Sequence, residues 1–199
     1  MTIWFASGNE HKRAELSAIL PQVELRVPAD AGLAFDPVED GDEFLENALI
    51  KARSLFRLVK QPVIADDSGL CVDTLDGRPG IHSARYGCVG DVRLGDAERN
   101  ALLLSEMEGF PMRGACFVCA MVLLFNENRF FAVQETLEGE LLREPRGEEG
   151  FGYDPLLYLP EQRCSVAELP PELKNTLSHR AKAARAIAAW LELQNPSGL

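Results

Sequence analysis

Twelve consecutive residues, GACFVCAMVLLF at 114–125, constrain the fold more than any other stretch of the chain. They carry no charge, and they fall short of the roughly 20 apolar residues that a membrane-spanning helix needs. Their composition is that of a buried strand. Asn126-Glu127-Asn128 follows, and a second strand-like run occupies 129–137. The pair predicts a long antiparallel hairpin. Cys116 and Cys119 form a CxxC inside the first run. In a strand, positions three apart point to opposite faces, and no second CxxC or CxxH exists to complete a zinc site. These two are therefore read as buried small side chains rather than as a metal or redox motif. The five cysteines are odd in number and irregularly spaced, which is a poor disulfide framework.

The rest of the chain alternates strand and helix signals. TIWFAS reads as a short buried strand ended by a turn at Ser7-Gly8-Asn9, and a helix is expected from about Glu10 to Leu20, stopped by Pro21. Val23 to Val27 alternates like a strand. After Asp40–Asp42, the apolar positions Phe44, Leu45, Ala48, Leu49, Ala52, Leu55 and Phe56 keep to one face at helical spacing. Pro62 to Ala65 is the next strand, expected to deliver Asp66 and Asp67 to its end. The segments DGRPGIHSARYG and GEEGFGYDP read as irregular loops, with a helix over about Asp96 to Met107 between them. Ser178 is placed to cap an amphipathic helix running to Leu193. There is no internal repeat and no linker-like stretch. One α/β domain over residues 1–199, with a mixed sheet pinched into two lobes, is the expected architecture.

Charge narrows the function classes. The formal net charge of −11 argues against non-specific binding to nucleic acid or anionic membrane. A small phosphorylated ligand stays open, given a local basic cluster or a metal ion. MTIWFASGNEHK has no basic leader before its apolar residues, so a cytoplasmic location is expected.

Four places could carry chemistry. SGNEHK at 7–12 reads either as an N-capped helix with a solvated lysine or as a strand-to-helix junction that holds an anion; it is not a Walker loop. Asp66 and Asp67 are adjacent, so in extended chain they face opposite sides and need not do the same work. They form either a polar turn or, with Glu39, Asp40, Asp42, Glu43 and Glu46 nearby in sequence, part of a Mg²⁺ site, since Mg²⁺ usually takes one or two carboxylates plus substrate phosphates. Lys51, Lys174, His179 and Arg180 are candidate anion or base-edge contacts. Phe151, Gly152, Tyr153 and Asp154 place two aromatic rings, a glycine and a carboxylate in a loop, suited either to the core or to stacking on a nucleobase.

The ordered set SGNEHK, ENALIKA, ADDSGL, PGIHSARYG, GFGYDP and LKNTLSHR, spanning residues 2 to about 190, resembles the inosine triphosphate pyrophosphatase family, the dITP/XTP pyrophosphatases. The resemblance implies an elongated α/β fold: a mixed sheet flanked by helices, with two lobes around a central cleft, usually as a homodimer. It implies Mg²⁺-dependent splitting of ITP, dITP or XTP into the monophosphate and pyrophosphate, which clears such nucleotides from the pool. Carried over by motif, Ser7, Gly8, Asn9, Glu10, His11 and Lys12 bind the triphosphate. Asp67 is the metal ligand and proton acceptor, Glu39 a second metal-associated carboxylate, and Ser68 a substrate contact. Phe151, Gly152, Tyr153 and Asp154 line the base and sugar pocket, completed by Lys174, His179 and Arg180, with His179 and Arg180 among the expected donors to the base. Lys51 meets phosphate. Ser7 stands where Thr is commoner, Glu149 where glycine is usual, and Arg78 where a small residue is common; none removes a group that the chemistry needs. The rival reading is a catalytically idle nucleotide-binding protein on the same scaffold.

Overall fold

The computed structural model describes residues 1–90 and 92–194; the final stretch of the expected domain, 195–199, lies outside them. The strands are β1 (Thr2–Phe5), β2 (Glu24–Arg26), β3 (Val63–Val72), β4 (Gly114–Asn126), β5 (Arg129–Leu141), β6 (Leu157–Leu159) and β7 (Cys164–Ser165). The helices are α1 (Glu10–Ile19), α2 (Phe44–Val59), α3 (Asp96–Glu106), α4 (Pro171–Leu177) and α5 (His179–Gln194). The strands form one sheet in the order β2-β1-β3-β4-β5-β6-β7. It is mixed: β1 pairs in parallel with β2 and β3, while β6 pairs antiparallel with β5 and β7. The predicted hairpin is present, since β4 and β5 are sheet neighbours joined by two residues. Among the described residues, no helix is long and apolar enough to cross a membrane, and all five cysteines are free.

The chain divides into two compact units. The first comprises Met1–Asp67, Cys119–Glu135 and Asn175–Leu199; the second comprises Ser68–Val118 and Thr136–Lys174. In the first unit, strand parity sorts side chains onto two covered faces. Ile3, Phe5, Ile64, Met121 and Leu123 share a buried cluster with Leu16 and Leu20 from α1 and its end and with Ile187 and Leu191 of α5. Their neighbours Trp4, Val63, Ala65, Val122 and Leu124 pack instead with Ala48, Ala52 and Leu55 of α2. Coverage on both faces is why the β4 run is apolar at successive positions. In the second unit, Leu70, Val72, Phe117, Leu137 and Leu157 from the strands enclose a core with Leu103 and Met107 at the end of α3.

One expectation fails in an informative place. The Asp pair was expected at a strand end, but β3 runs on through Asp66, Asp67, Ser68 and Gly69 to Val72. Gly69 is not a turn residue. A Cβ there would sit 2.3 Å from the Gly80 carbonyl oxygen and 2.4 Å from Ser83 Oγ. The loop around 76–87 contains a tight helical turn, Gly80–Arg85. Its Ser83 Oγ accepts from the Leu70 N–H at 2.9 Å and donates to the Gly80 carbonyl at 2.7 Å. Glycine at 69 permits that close approach and lets the strand continue.

Candidate active site

The first unit gathers most of the charged candidates. Asp66 has the parity of Ile64 and faces α1 and α5; Asp67 has the parity of Ala65 and faces α2. That alternation separates the two carboxylates into different ion-pair sets.

Asp66 is buried, and its Oδ2 meets Lys12 Nζ at 2.9 Å and Arg180 Nε at 3.3 Å. The far end of the same guanidinium donates from Nη1 to Glu15 Oε2 at 2.6 Å. Burial alone would raise the Asp66 pKa, but the charges of Lys12, Arg180 and Lys51 outweigh it and hold the carboxyl well below the usual range. Asp66 is thus a fixed anion that binds α1 and α5 to the sheet. Arg180 was expected to read the base; here it is buried and engaged by two carboxylates.

Asp67 Oδ1 meets Lys51 Nζ at 3.0 Å, and the same ammonium meets Glu39 Oε2 at 2.9 Å. Asn47, one helical turn before Lys51 and almost fully buried, donates from Nδ2 to Asp67 Oδ2 at 3.3 Å. Its Oδ1 accepts from the Gly41 N–H at 3.0 Å, tying the segment that carries Glu39 to the carboxylate. Burial pushes the Asp67 carboxyl above its ordinary value, against the pull of Lys51 and Lys12, and Glu39 adds to the rise. Lys51 shows the converse: burial works against its charge, but Asp67, Asp66 and Glu39 together raise its pKa. Asp67 is therefore a carboxylate held by two donors yet disposed to take a proton, which suits a general base.

The SGNEHK stretch forms the expected strand-to-helix junction. Asn9 caps α1, its Oδ1 accepting from the Lys12 N–H at 3.1 Å, and Ser7 Oγ accepts from the Asn9 N–H at 3.1 Å. Glu10 and His11 are exposed on the first turn of the helix. A Cβ at Gly8 would meet nothing within 4 Å, so packing does not demand glycine there. His179 is the first residue of α5 and is buried; Ser178 Oγ accepts from the Ala181 N–H at 3.1 Å, confirming the cap.

The second unit holds the aromatic loop. Asp154 Oδ2 accepts both the Phe151 N–H at 2.9 Å and Lys174 Nζ at 2.7 Å. The Lys174 ammonium lies 5.0 Å from the centre of the Phe151 ring. Gly152, at φ 63°, donates to Asp96 Oδ2 at 2.6 Å and accepts from Asn100 Nδ2 at 3.1 Å, so α3 pins the loop. Tyr153 turns inward into the core and donates to the Ser83 carbonyl at 3.0 Å. Phe151 is the ring left half-buried at the surface, and Ser68 is half-buried on β3. Phe151 and Gly152 also wall a depression of about 410 Å³ whose other side is Ala97, Asn100 and Leu104 of α3. Asp96, Glu148 and Glu149 contribute negative charge to it, so it is no place for phosphate.

The metal question can be put to the chain itself. Among the described residues no cluster of three or more His, Cys, Asp or Glu could hold an ion. Glu39 and Asp67 nevertheless converge on one cation, the Lys51 ammonium. Two hard oxygens on one point fit Mg²⁺ completed by substrate phosphates.

Asn47, Glu15, Asp96 and Asn100 were not among the expected site residues. Two of them had a signal in spacing: Asn47 lies four residues before Lys51, and Glu15 three after Lys12, each pair on one helix face.

A dITP/XTP pyrophosphatase of Treponema denticola is 47% identical over 192 residues, covering 96% of this chain and 99% of that protein. The Staphylococcus aureus Ham1 protein has a solved structure that superposes with a TM-score of 0.87 at 34% identity, covering 98% of this chain and all of that one. A HAM1 protein from Coxiella burnetii superposes with a TM-score of 0.87 at 38% identity, covering 96% and 98%. The model of the Ham1 family matches residues 3–190, and the chain belongs to that family.

Proposed function

We propose that the protein hydrolyses non-standard purine nucleoside triphosphates (ITP, dITP, XTP) to the monophosphate and pyrophosphate, removing them from the nucleotide pool. The observation that carries this reading is Asp67: buried on β3, gripped by Lys51 and Asn47, and joined through Lys51 to Glu39. Asp67 takes the proton of the water that attacks the α-phosphorus. Lys12, Ser7 and the open backbone at Gly8 receive the phosphates at the head of α1, where the helix dipole favours an anion. Glu39 and Asp67 hold Mg²⁺, which supplies charge neutralisation on the phosphates when bound. Ser68 contacts substrate. Asp66, Glu15 and Arg180 keep Lys12 in place rather than touching the reacting atoms.

For the base, Phe151 offers the stacking face and Lys174, aimed by Asp154, the hydrogen-bond donor. Such a donor meets the 6-oxygen of hypoxanthine or xanthine and is left unpaired by the 6-amino group of adenine. Mismatch against a positioned polar group can reach roughly 10⁴-fold in kcat/KM. The working form is a cytoplasmic homodimer of a single domain spanning residues 1–199. A nucleotide panel assayed with Mg²⁺ tests the reading: ITP should yield IMP and pyrophosphate, with orthophosphate only after inorganic pyrophosphatase is added. Release of IDP and orthophosphate would refute it.

A further inference from the structure

In the first unit the carboxylates Glu39, Asp66 and Asp67 already face the ammonium groups of Lys12 and Lys51. Lys12 is on Asp66 at 2.9 Å, and Lys51 bridges Glu39 and Asp67 at 2.9 and 3.0 Å. The Lys51 side chain is only 10% exposed and reaches these oxygens from the middle of α2. An ammonium between two carboxylates satisfies their charge as a divalent ion would, and two cations cannot share the place. We infer that Lys51 is a resident counter-ion occupying the seat between Glu39 and Asp67, so that metal and nucleotide bind by exchange of partners. The cation takes the two carboxylates, and Lys51, released from them, turns to the phosphate oxygens. This rests on the reading of Glu39 and Asp67 as metal-holding residues.

Two consequences follow. The nucleotide-free protein binds a divalent cation weakly, because the cation must displace Lys51 from both of its carboxylate partners. A triphosphate supplies Lys51 with a new anion, so each ligand strengthens the other, and by linkage equally. Arg180 sits differently: Glu15 and Asp66 hold it from both ends, so it stays behind as the fixed charge when Lys51 moves.

The test is binding of Mn²⁺, followed by the paramagnetic resonance signal of the free ion, to nucleotide-free protein. Lys51→Met should tighten Mn²⁺ on the order of tenfold, and a triphosphate analogue with a non-hydrolysable α,β bridge should then add less affinity than it adds in the unaltered protein. Lys51→Gln, which keeps a polar end, should show the same direction should the methionine variant fail to fold. Lys12→Met removes an equal charge from Asp66 and serves as the control. Unchanged or weaker Mn²⁺ binding by both Lys51 variants overturns the inference. So does an equal gain in Lys12→Met, which would mark a diffuse effect of charge. The underlying reading fails separately, if neither Asp67→Asn nor Glu39→Gln weakens Mn²⁺ binding in the presence of the analogue.

Discussion

Replacing each of the two adjacent aspartates by asparagine should change stability in opposite ways. Asp66 is a buried anion between Lys12 and Arg180. Removing one partner of a buried ion pair costs about 3–5 kcal/mol, because the partner left behind is desolvated and unpaired. Here the lower end applies: Arg180 keeps Glu15 at 2.6 Å, and the Lys12 side chain, 15% exposed, can turn to water. About 3 kcal/mol in a chain of this size lowers Tm by roughly 6–12 °C. The folded pKa of Asp66 lies below its unfolded value of about 3.9, so its ionised form contributes stability above that pH. That contribution is lost as pH falls from about 4 through the folded pKa. The deficit of Asp66→Asn should therefore be complete at pH 7 and shrink below pH 4. Asp67 has the opposite sign. Its folded pKa is raised, so the ionised carboxylate opposes folding at neutral pH, and Asp67→Asn removes that opposition. Lys51 still has Glu39 at 2.9 Å. Its Tm should be unchanged or slightly higher while kcat falls by at least about a hundredfold. Thermal unfolding followed by circular dichroism at pH 7 and pH 3, with turnover at saturating Mg²⁺, tests both. Melting of Asp66→Asn within about 2 °C of the parent at pH 7, an equal deficit at both pH values, or normal turnover by Asp67→Asn would refute these roles.

Lys174→Met should narrow the ITP to ATP ratio of kcat/KM, because it removes the donor beside Phe151. Arg180→Ala should lower both rates together and leave the ratio unchanged, since its charge is engaged by Asp66 and Glu15; a changed ratio would return Arg180 to the base pocket. Asn47→Ala frees one oxygen of Asp67 and the Gly41 N–H at once. It should lower kcat by about tenfold or more, with nucleotide KM little altered, and equal loss in both would show that it only supports folding. Light scattering at micromolar concentration should give twice the chain mass of 21.9 kDa; a value at the chain mass would exclude the dimer.

Local pattern was enough to place most elements and to separate the two aspartates. The 3.6-residue spacing of Phe44 to Phe56 marked α2, and Asn126-Glu127-Asn128 between two strand-like runs marked the β4–β5 hairpin. The period of two along a strand already required Asp66 and Asp67 to face opposite ways. These properties depend on neighbours a few residues apart. The partners of each charge depend on the packed fold: Arg180 reaches Asp66 across 114 positions and Glu15 across 165. No spacing rule selects, from many basic side chains, the one that helix packing will bury beside a given carboxylate. The continuation of β3 through ADDSG was hidden for the same reason. Ser and Gly after two aspartates have turn-like preferences, and only the Gly80–Ser83 segment lying against Gly69 reveals that the glycine serves a close approach. Likewise either aromatic residue of FGYD could have been the exposed one. The Ser83 carbonyl, 70 residues away in sequence, draws the Tyr153 hydroxyl into the core and leaves Phe151 at the surface.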